Sequence, residues 1–431
     1  MVFYVILMIA WNRLCGERGG IFMLRGNVIV GQSGGPTSVI NSSLVGVFKT
    51  AKDCGVKKVF GMRNGIEGLL NEHYVDLDDY IKNDLDIELL KRTPSSFLGT
   101  CRYKLPDYES NEEVYWRLFN ILNKLDVKHF FYIGGNDSMD TIKKLSNYAK
   151  DINSDITFMG VPKTIDNDLA VTDHTPGFGS AAKYIASAMK EIIRDAKTYP
   201  TDSITVVEIM GRNAGWLTAA SALSRAEDCT GPDLIYLPEV EFDHNKFLKK
   251  IEELKKYQTT VVVAVSEGIK TSDGLYVCEA NKKNMFEDSF GHKALGGTAL
   301  YLADFLGENT GIKSRGIVFS TLQRCASHIV SRRDITEAYT AGADAVQAAM
   351  NGETGKMVIF ERISNTPYQI KTAIYDVNLI ANVEKCVPLD WITDDNTYVS
   401  KKFNEYASPL IIGELSPFMV DGLPRHLFID K

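Results

Sequence analysis

From Asn27 onward the chain alternates short, unbroken apolar runs with stretches of helical periodicity. Asn27-Val28-Ile29-Val30, Phe130-Phe131-Tyr132-Ile133 and Ile156-Thr157-Phe158-Met159 read as strands, and so do Ile204–Ile209, Val261–Val265 and Gly316–Phe319. Nearly every run ends in a glycine or polar cluster and then a helix, the pattern of a mostly parallel sheet with helices on its faces. Ligands of such sheets sit outside the carboxyl ends of the strands, so those ends are where chemistry is to be sought.

Helices follow from period and caps. Ala181, Tyr184, Ile185, Ala188, Ile192 and Ala196 share one stripe and predict a helix over 180–196. Asp334 with Glu337 has the spacing of a capping box and predicts a helix start, with a stop at Asn351-Gly352. No repeat, low-complexity linker or Ser/Pro-rich hinge interrupts the chain. Periodicity loosens beyond about Thr366, which reads as an appended segment.

Composition narrows the class. At 431 residues, 45% hydrophobic and 24% charged, the chain is long enough for two or three domains with well-buried cores, and disorder, collagen and coiled coil are excluded. Its 48 basic and 55 acidic residues give a net charge of −7, with no basic footprint for a nucleic-acid backbone. Small ligands are the expected partners. Seven scattered cysteines without a C-x-x-C pair point to a reducing, cytoplasmic setting and away from a zinc clamp.

The apolar run Met1–Trp11 is too short to span a bilayer, which takes about 20 apolar residues, and it lacks a basic n-region and a cleavage site. No membrane association is therefore expected. Gly16-Glu17-Arg18-Gly19-Gly20 is what a purine-rich, ribosome-binding message would encode, so Met23 is the expected start and residues 1–22 a non-native extension.

Four clusters carry chemistry. Gly31-Gln32-Ser33-Gly34-Gly35 follows the first strand and precedes a helix, where backbone N–H groups and a helix N-terminus can meet an anion; alone it is equally the mark of a tight turn. Gly134-Gly135-Asn136-Asp137-Ser138 repeats the arrangement with an amide and a carboxylate, which would also serve as a solvated helix cap. Lys163-Thr164-Ile165-Asp166-Asn167-Asp168 is the most specific. In an extended stretch Asp166 and Asp168 face the same way, and burying so many polar groups for packing alone would be costly. The last, Met210-Gly211-Arg212-Asn213-Ala214-Gly215, allows close backbone approach and a guanidinium fork onto phosphate. Glu239, Arg315 and Arg324 lie near further strand ends.

In this order, with Thr100-Cys101-Arg102, Leu237-Pro238-Glu239 and Leu322-Gln323-Arg324, these motifs resemble the phosphofructokinase family from about Asn27 to Arg362, and within it the pyrophosphate-dependent branch. The resemblance implies two similar three-layer α/β domains with mostly parallel sheets and the active site in the cleft between them. A donor domain would comprise residues 23–177 with about 323–365, a sugar-phosphate domain 178–322, and an extension about 366–431. The implied reaction is reversible, magnesium-dependent phosphoryl transfer from pyrophosphate to the C1 hydroxyl of fructose 6-phosphate, in a homodimer or homotetramer. Asp166 becomes the base, with Lys163 and Asp137 beside it. Gly35 and Arg102 fall on donor positions; Thr164, Asp168, Met210, Gly211, Arg212, Glu239, Thr321, Arg324 and, from a neighbouring subunit, Arg315 fall on sugar-phosphate positions.

The ATP-using branch generally has glycine where Asp137 and Lys163 stand here. A carboxylate at Asp137 fills and repels the space of a nucleotide α-phosphate, while Lys163 can neutralise charge on the transferred and leaving phosphates. Two features depart from the family pattern. Asn136 replaces the metal-associated carboxylate and keeps an oxygen for magnesium without its charge. Ser203 and Thr321 stand where bacterial ATP enzymes carry an arginine and a histidine among their sugar contacts, which also argues against their nucleotide regulation. An ATP-dependent or sedoheptulose 7-phosphate kinase of the same fold, and a non-catalytic sugar-phosphate-binding subunit, are the competing readings.

Overall fold

A computed structural model describes residues 26–280 and 295–429. The expected start at Met23 and the apolar Met1–Trp11 run lie outside them.

Thirteen strands form among the described residues. A seven-stranded sheet is built from β1 (Asn27–Gln32), β2 (Val59–Met62), β3 (Tyr74–Asp76), β4 (Val127–Gly134), β5 (Thr157–Pro162), β10 (Lys356–Asn365) and β11 (Tyr368–Asp376), in the order β11-β10-β5-β4-β1-β2-β3. Its five central strands are parallel, and β3 and β11 add antiparallel edges. Alternate side chains feed opposite faces. Ile29, Phe130, Tyr132 and Phe158 enter one core, whereas Val28, Val30, Phe131 and Ile133 enter the other.

The second sheet contains β6 (Ser203–Ile209), β7 (Leu234–Tyr236), β8 (Thr260–Ser266) and β9 (Lys313–Val318), all parallel, in the order β7-β8-β6-β9. It divides its side chains in the same way, Val207, Ile209, Val262 and Ala264 to one face, Ile204, Val206, Val261 and Val263 to the other. Each sheet lies between helical layers. This is the expected two-part α/β architecture, and all six sequence-predicted strands are present. A two-residue hairpin of β12 (Met419–Val420) and β13 (Leu423–Pro424) stands apart.

Two local expectations change. The helix predicted over 180–196 spans Phe178–Ala196, and its buried stripe is centred on Ala182, Ile185, Met189 and Ile193. The helix Arg332–Met350 is capped by Ser331, which accepts from the Asp334 N–H, and not by Asp334 itself. Asp334 turns inward instead and accepts from the N–H groups of Gly177 (2.9 Å) and Ser180 (2.8 Å), capping the start of the neighbouring helix. Glu337 is likewise buried, bonded to His174 and Tyr368.

Residues beyond 366 are woven into both halves. β11 extends the large sheet, and Val387, Ile392, Val399, Phe403, Tyr406 and Leu410 complete a core of the small one. Loose periodicity there reflects a path of short elements whose apolar residues fill gaps between larger ones. Among the described residues no helix is long and apolar enough to cross a membrane.

Candidate active site

In the large sheet the chain moves from β1 to β2 on one side and returns to β4 on the other. The loops after β1 and β4 therefore part at their carboxyl ends and leave a crevice. The small sheet presents the loops after β6, β8 and β9 to the same space. Between them lies a cleft of about 790 Å³, lined by residues of both halves.

On the large-sheet side, Gly34 takes a left-handed conformation (φ 74°) open chiefly to glycine, and Gly34, Gly35 and Pro36 face the cleft. Buried Gln32 and Asn41 stitch this loop to the one carrying Arg102. Gln32 Nε2 donates to Asn41 Oδ1 at 2.9 Å, Asn41 Nδ2 donates to the carbonyls of Thr93 and Ser95, and Gln32 Oε1 accepts from the Leu98 N–H. The helix Asn136–Asp151 starts at Gly135 with no side-chain cap, so its positive end and the side chains of Asn136 and Asp137 meet the cleft. Lys163, at the end of β5, is buried, and its Nζ donates to the Gly35 carbonyl at 2.8 Å.

Asp166 and Asp168 both line the cleft, as predicted, but not because the stretch is extended. Asn167 between them is left-handed (φ 55°) and fully buried, which turns its own side chain away and leaves the two carboxylates on the open side. Thr164 Oγ1 accepts from the Asp166 N–H at 3.0 Å.

On the small-sheet side, Gly211 (φ 141°) permits the turn that carries Met210 and Arg212 into the cleft. Ser266 Oγ donates to the Gly211 carbonyl and accepts from the Gly268 N–H, locking this turn to the loop after β8. Arg324 sits on the short helix Leu322–Cys325 and brings its guanidinium up to Gly35, where even a Cβ would lie 3.0 Å from it. Its neighbour Gln323 is buried and accepts from the Met210 N–H at 3.2 Å.

Four cations, Lys163, Arg102, Arg212 and Arg324, thus surround a group of carboxylates. Burial pulls Lys163 down to about 8, the nearby Asp166 charge opposing that shift. Burial raises Asp166, against Lys163 and Arg212, and raises Asp168 to about 7 with the help of the Asp166 charge. A desolvated carboxylate of raised basicity amid cations is suited to take a proton and to leave anionic oxygens to its neighbours.

Several predicted residues lie elsewhere. Glu239 is behind the cleft wall, where Oε1 accepts from the N–H groups of Gly215 (2.7 Å) and Val387 (2.9 Å). Thr321 is exposed at the cap of helix Leu322–Cys325. Arg315 projects from edge strand β9 toward Asp195, away from this chain's own cleft. Three polar lining side chains were missed, besides the apolar Leu295. Glu267 directly follows β8 and is pushed by burial up to about 7; its position just past the carboxyl end of an apolar strand was the available signal. Asn382 and Glu384 come from the late segment and had no local signature; Glu384 Oε1 accepts from Asn213 Nδ2 at 3.0 Å, across the cleft rim.

An anion-binding cleft between two α/β halves, with a buried carboxylate among four cations, has the layout of a phosphoryl-transfer enzyme. The profile of the Phosphofructokinase family matches residues 27–349, and the chain belongs to that family. A pyrophosphate--fructose 6-phosphate 1-phosphotransferase of Halomonas elongata is 38% identical over 407 residues, covering 94% of this chain and 96% of the relative. One of Xanthomonas campestris is 39% identical over 408 residues, covering 94% and 96%. A crystal structure of pyrophosphate-dependent phosphofructokinase from Nitrosospira multiformis superimposes with a TM-score of 0.83 at 38% identity, covering 93% of this chain and 95% of that one.

Proposed function

We infer that this chain transfers a phosphoryl group reversibly from pyrophosphate to the C1 hydroxyl of fructose 6-phosphate, yielding fructose 1,6-bisphosphate and phosphate, the first committed step of glycolysis. The observation that carries the donor assignment is that Asp137 and Lys163 both line the cleft beside the donor loops. Asp137 lies close enough to Arg102 for their charges to act on one another. A nucleotide α-phosphate entering there would meet a carboxylate, whereas pyrophosphate ends short of it.

Pyrophosphate rests on the Gly34-Gly35 loop, the start of helix Asn136–Asp151, Arg102 and Lys163. The sugar lies against Met210 and the Gly211 turn, with Arg212 and Arg324 on its 6-phosphate and Thr164 and Asp168 near the reacting end. Glu267, facing the cleft where Glu239 does not, is the carboxylate available to a sugar hydroxyl. Asp166 accepts the C1 hydroxyl proton as that oxygen bonds to phosphorus and the bridging bond of pyrophosphate breaks. Lys163 holds the charge shared by the transferred and leaving groups, and its charge opposes the upward shift that burial imposes on Asp166. The donor thus falls to the large-sheet half and the sugar to the small-sheet half.

Asn136 Oδ1 is buried at the cleft without a hydrogen-bond partner, an oxygen suited to magnesium. Among the described residues no group of three or more His, Cys, Asp or Glu side chains is placed to hold a metal ion, which suits a cation held by Asn136 together with water and substrate phosphates. Bound there, magnesium would offset phosphate charge. Arg315, exposed on the edge strand, would complete the sugar-phosphate site of a second copy in a homodimer or homotetramer, and the enzyme works in the cytoplasm on small molecules.

Purified protein given fructose 6-phosphate, magnesium and pyrophosphate is expected to form fructose 1,6-bisphosphate and phosphate in equal amounts. Failure to form the bisphosphate under these conditions would overturn the reading.

A further inference from the structure

The loop carrying Asp166 is fixed from behind by a part of the chain beyond residue 349, where the family profile ends. Asn167, between the two cleft carboxylates, is wholly buried and points the opposite way. Its Oδ1 accepts from the Thr175 N–H at 3.1 Å, and its Nδ2 donates to the Tyr406 hydroxyl at 2.8 Å. That hydroxyl in turn donates to the Asp173 carbonyl at 2.7 Å, so it is satisfied on both sides. Tyr406 belongs to the helix Lys401–Ala407, and its ring is clamped by Trp216, Trp391 and Arg362 at 5.3, 5.4 and 4.6 Å. The Lys385 N–H adds a bond to the Asp168 carbonyl at 2.7 Å, and Thr175 Oγ1 donates to the Thr164 carbonyl at 2.9 Å.

A left-handed non-glycine residue persists only where its surroundings over-determine it. Asn167 is held here by two side-chain bonds, from the Thr175 N–H and to the Tyr406 hydroxyl, and the second is the one that reaches it from beyond its own loop. Rotating Asn167 out of this conformation would carry the flanking carboxylates with it, while Arg102, Arg212 and Arg324 stand on other loops and would be unaffected.

We propose that Tyr406 is a positioning residue for the phosphoryl transfer, its hydroxyl holding Asn167 and thereby aiming Asp166 at the substrate hydroxyl. The inference rests on Asp166 as the base. It separates rate from binding, because misplacing the base by a fraction of an ångström weakens the transition state and not the phosphate contacts.

The test compares steady-state kinetics of wild type, Tyr406→Phe, Asn167→Gly and the double variant, with pyrophosphate and fructose 6-phosphate. Tyr406→Phe keeps the ring and is expected to lower kcat about ten- to a hundredfold, with KM for both substrates within about twofold. Asn167→Gly tolerates the left-handed backbone and should show the same split, so the conclusion stands on it if the phenylalanine variant folds poorly. The double variant should be no worse than the poorer single one, since both remove one link. Tyr301→Phe, which removes a hydroxyl bonded to His244 at 3.2 Å on a remote helix, should leave kcat unchanged. An active wild type beside folded Tyr406→Phe or Asn167→Gly of normal kcat overturns this inference alone, and so does a loss confined to KM. A wild type that does not turn over overturns the functional reading and this inference with it.

Discussion

Lys163 Nζ donates to the Gly35 carbonyl at 2.8 Å, joining the loop after β5 to the loop after β1 at the floor of the cleft. One buried ammonium thus both shapes the donor loop and faces the base. Its protonation should govern activity at high pH. With Lys163 at about 8, kcat/KM for pyrophosphate is expected to fall as pH rises through about 8, because only the charged form offsets phosphate charge. On the acid side, Asp166 is raised and Asp168 stands at about 7, so activity should also fall as pH drops below about 7. A pH profile of kcat/KM checks both limbs, and Lys163→Arg, if folded, should lose the alkaline one. A flat profile from pH 6 to 9 would contradict the assignment.

Asp166→Asn keeps the shape of the side chain and removes its basicity. It should lower kcat by about a thousandfold with KM for fructose 6-phosphate changed by less than about threefold, as read from initial rates.

Glu239 and Glu267 should separate cleanly. Glu267→Gln is expected to raise KM for fructose 6-phosphate about tenfold at little cost in stability, through a weakened hydrogen bond to the sugar. Glu239→Ala strands the Gly215 and Val387 N–H groups and should lower Tm by several degrees, each unpaired group costing about 1–3 kcal/mol. Kinetics and thermal melts on the two variants check the contrast.

His174 gives a stability signature. It is buried between Asp173 (2.8 Å) and Glu337 (2.7 Å). Burial alone would pull it down, but the Glu337 and Asp173 carboxylates outweigh that and push it from its ordinary 6.5 up to about 9. The folded chain therefore binds this proton more tightly than the unfolded one. The contribution is whole below pH 6.5 and lost as pH rises through about 9, so Tm should decline across that window, and His174→Gln should flatten the decline.

The strand ends were the most legible part of the site. Apolar runs announce buried strands, and polar residues directly after them are too costly to bury for packing, so Asn136, Asp137, Lys163, Asp166, Asp168 and Arg212 could be read from the chain. Glu239 also follows a strand, but it lies outside the cleft lining, with Oε1 bonded to two backbone N–H groups and Oε2 buried without a partner. The Asp334–Glu337 pair misled, since its spacing suits a cap while tertiary contacts draw both inward. Tyr406, Asn382 and Glu384 left no signal. Asn382 and Glu384 reach the cleft, and Tyr406 the back of the Asp166 loop, through long-range packing of a segment with weak periodicity, and no local pattern encodes which loop such a segment will touch.

The donor assignment is tested most directly by kcat/KM for pyrophosphate and for ATP, measured in parallel with fructose 6-phosphate and magnesium on wild type and on Asp137→Gly/Lys163→Gly. The account predicts turnover of the wild type with pyrophosphate and little or none with ATP, and a loss of that preference in the double variant. Wild-type turnover with ATP alone, or an unchanged preference in the double variant, would contradict it.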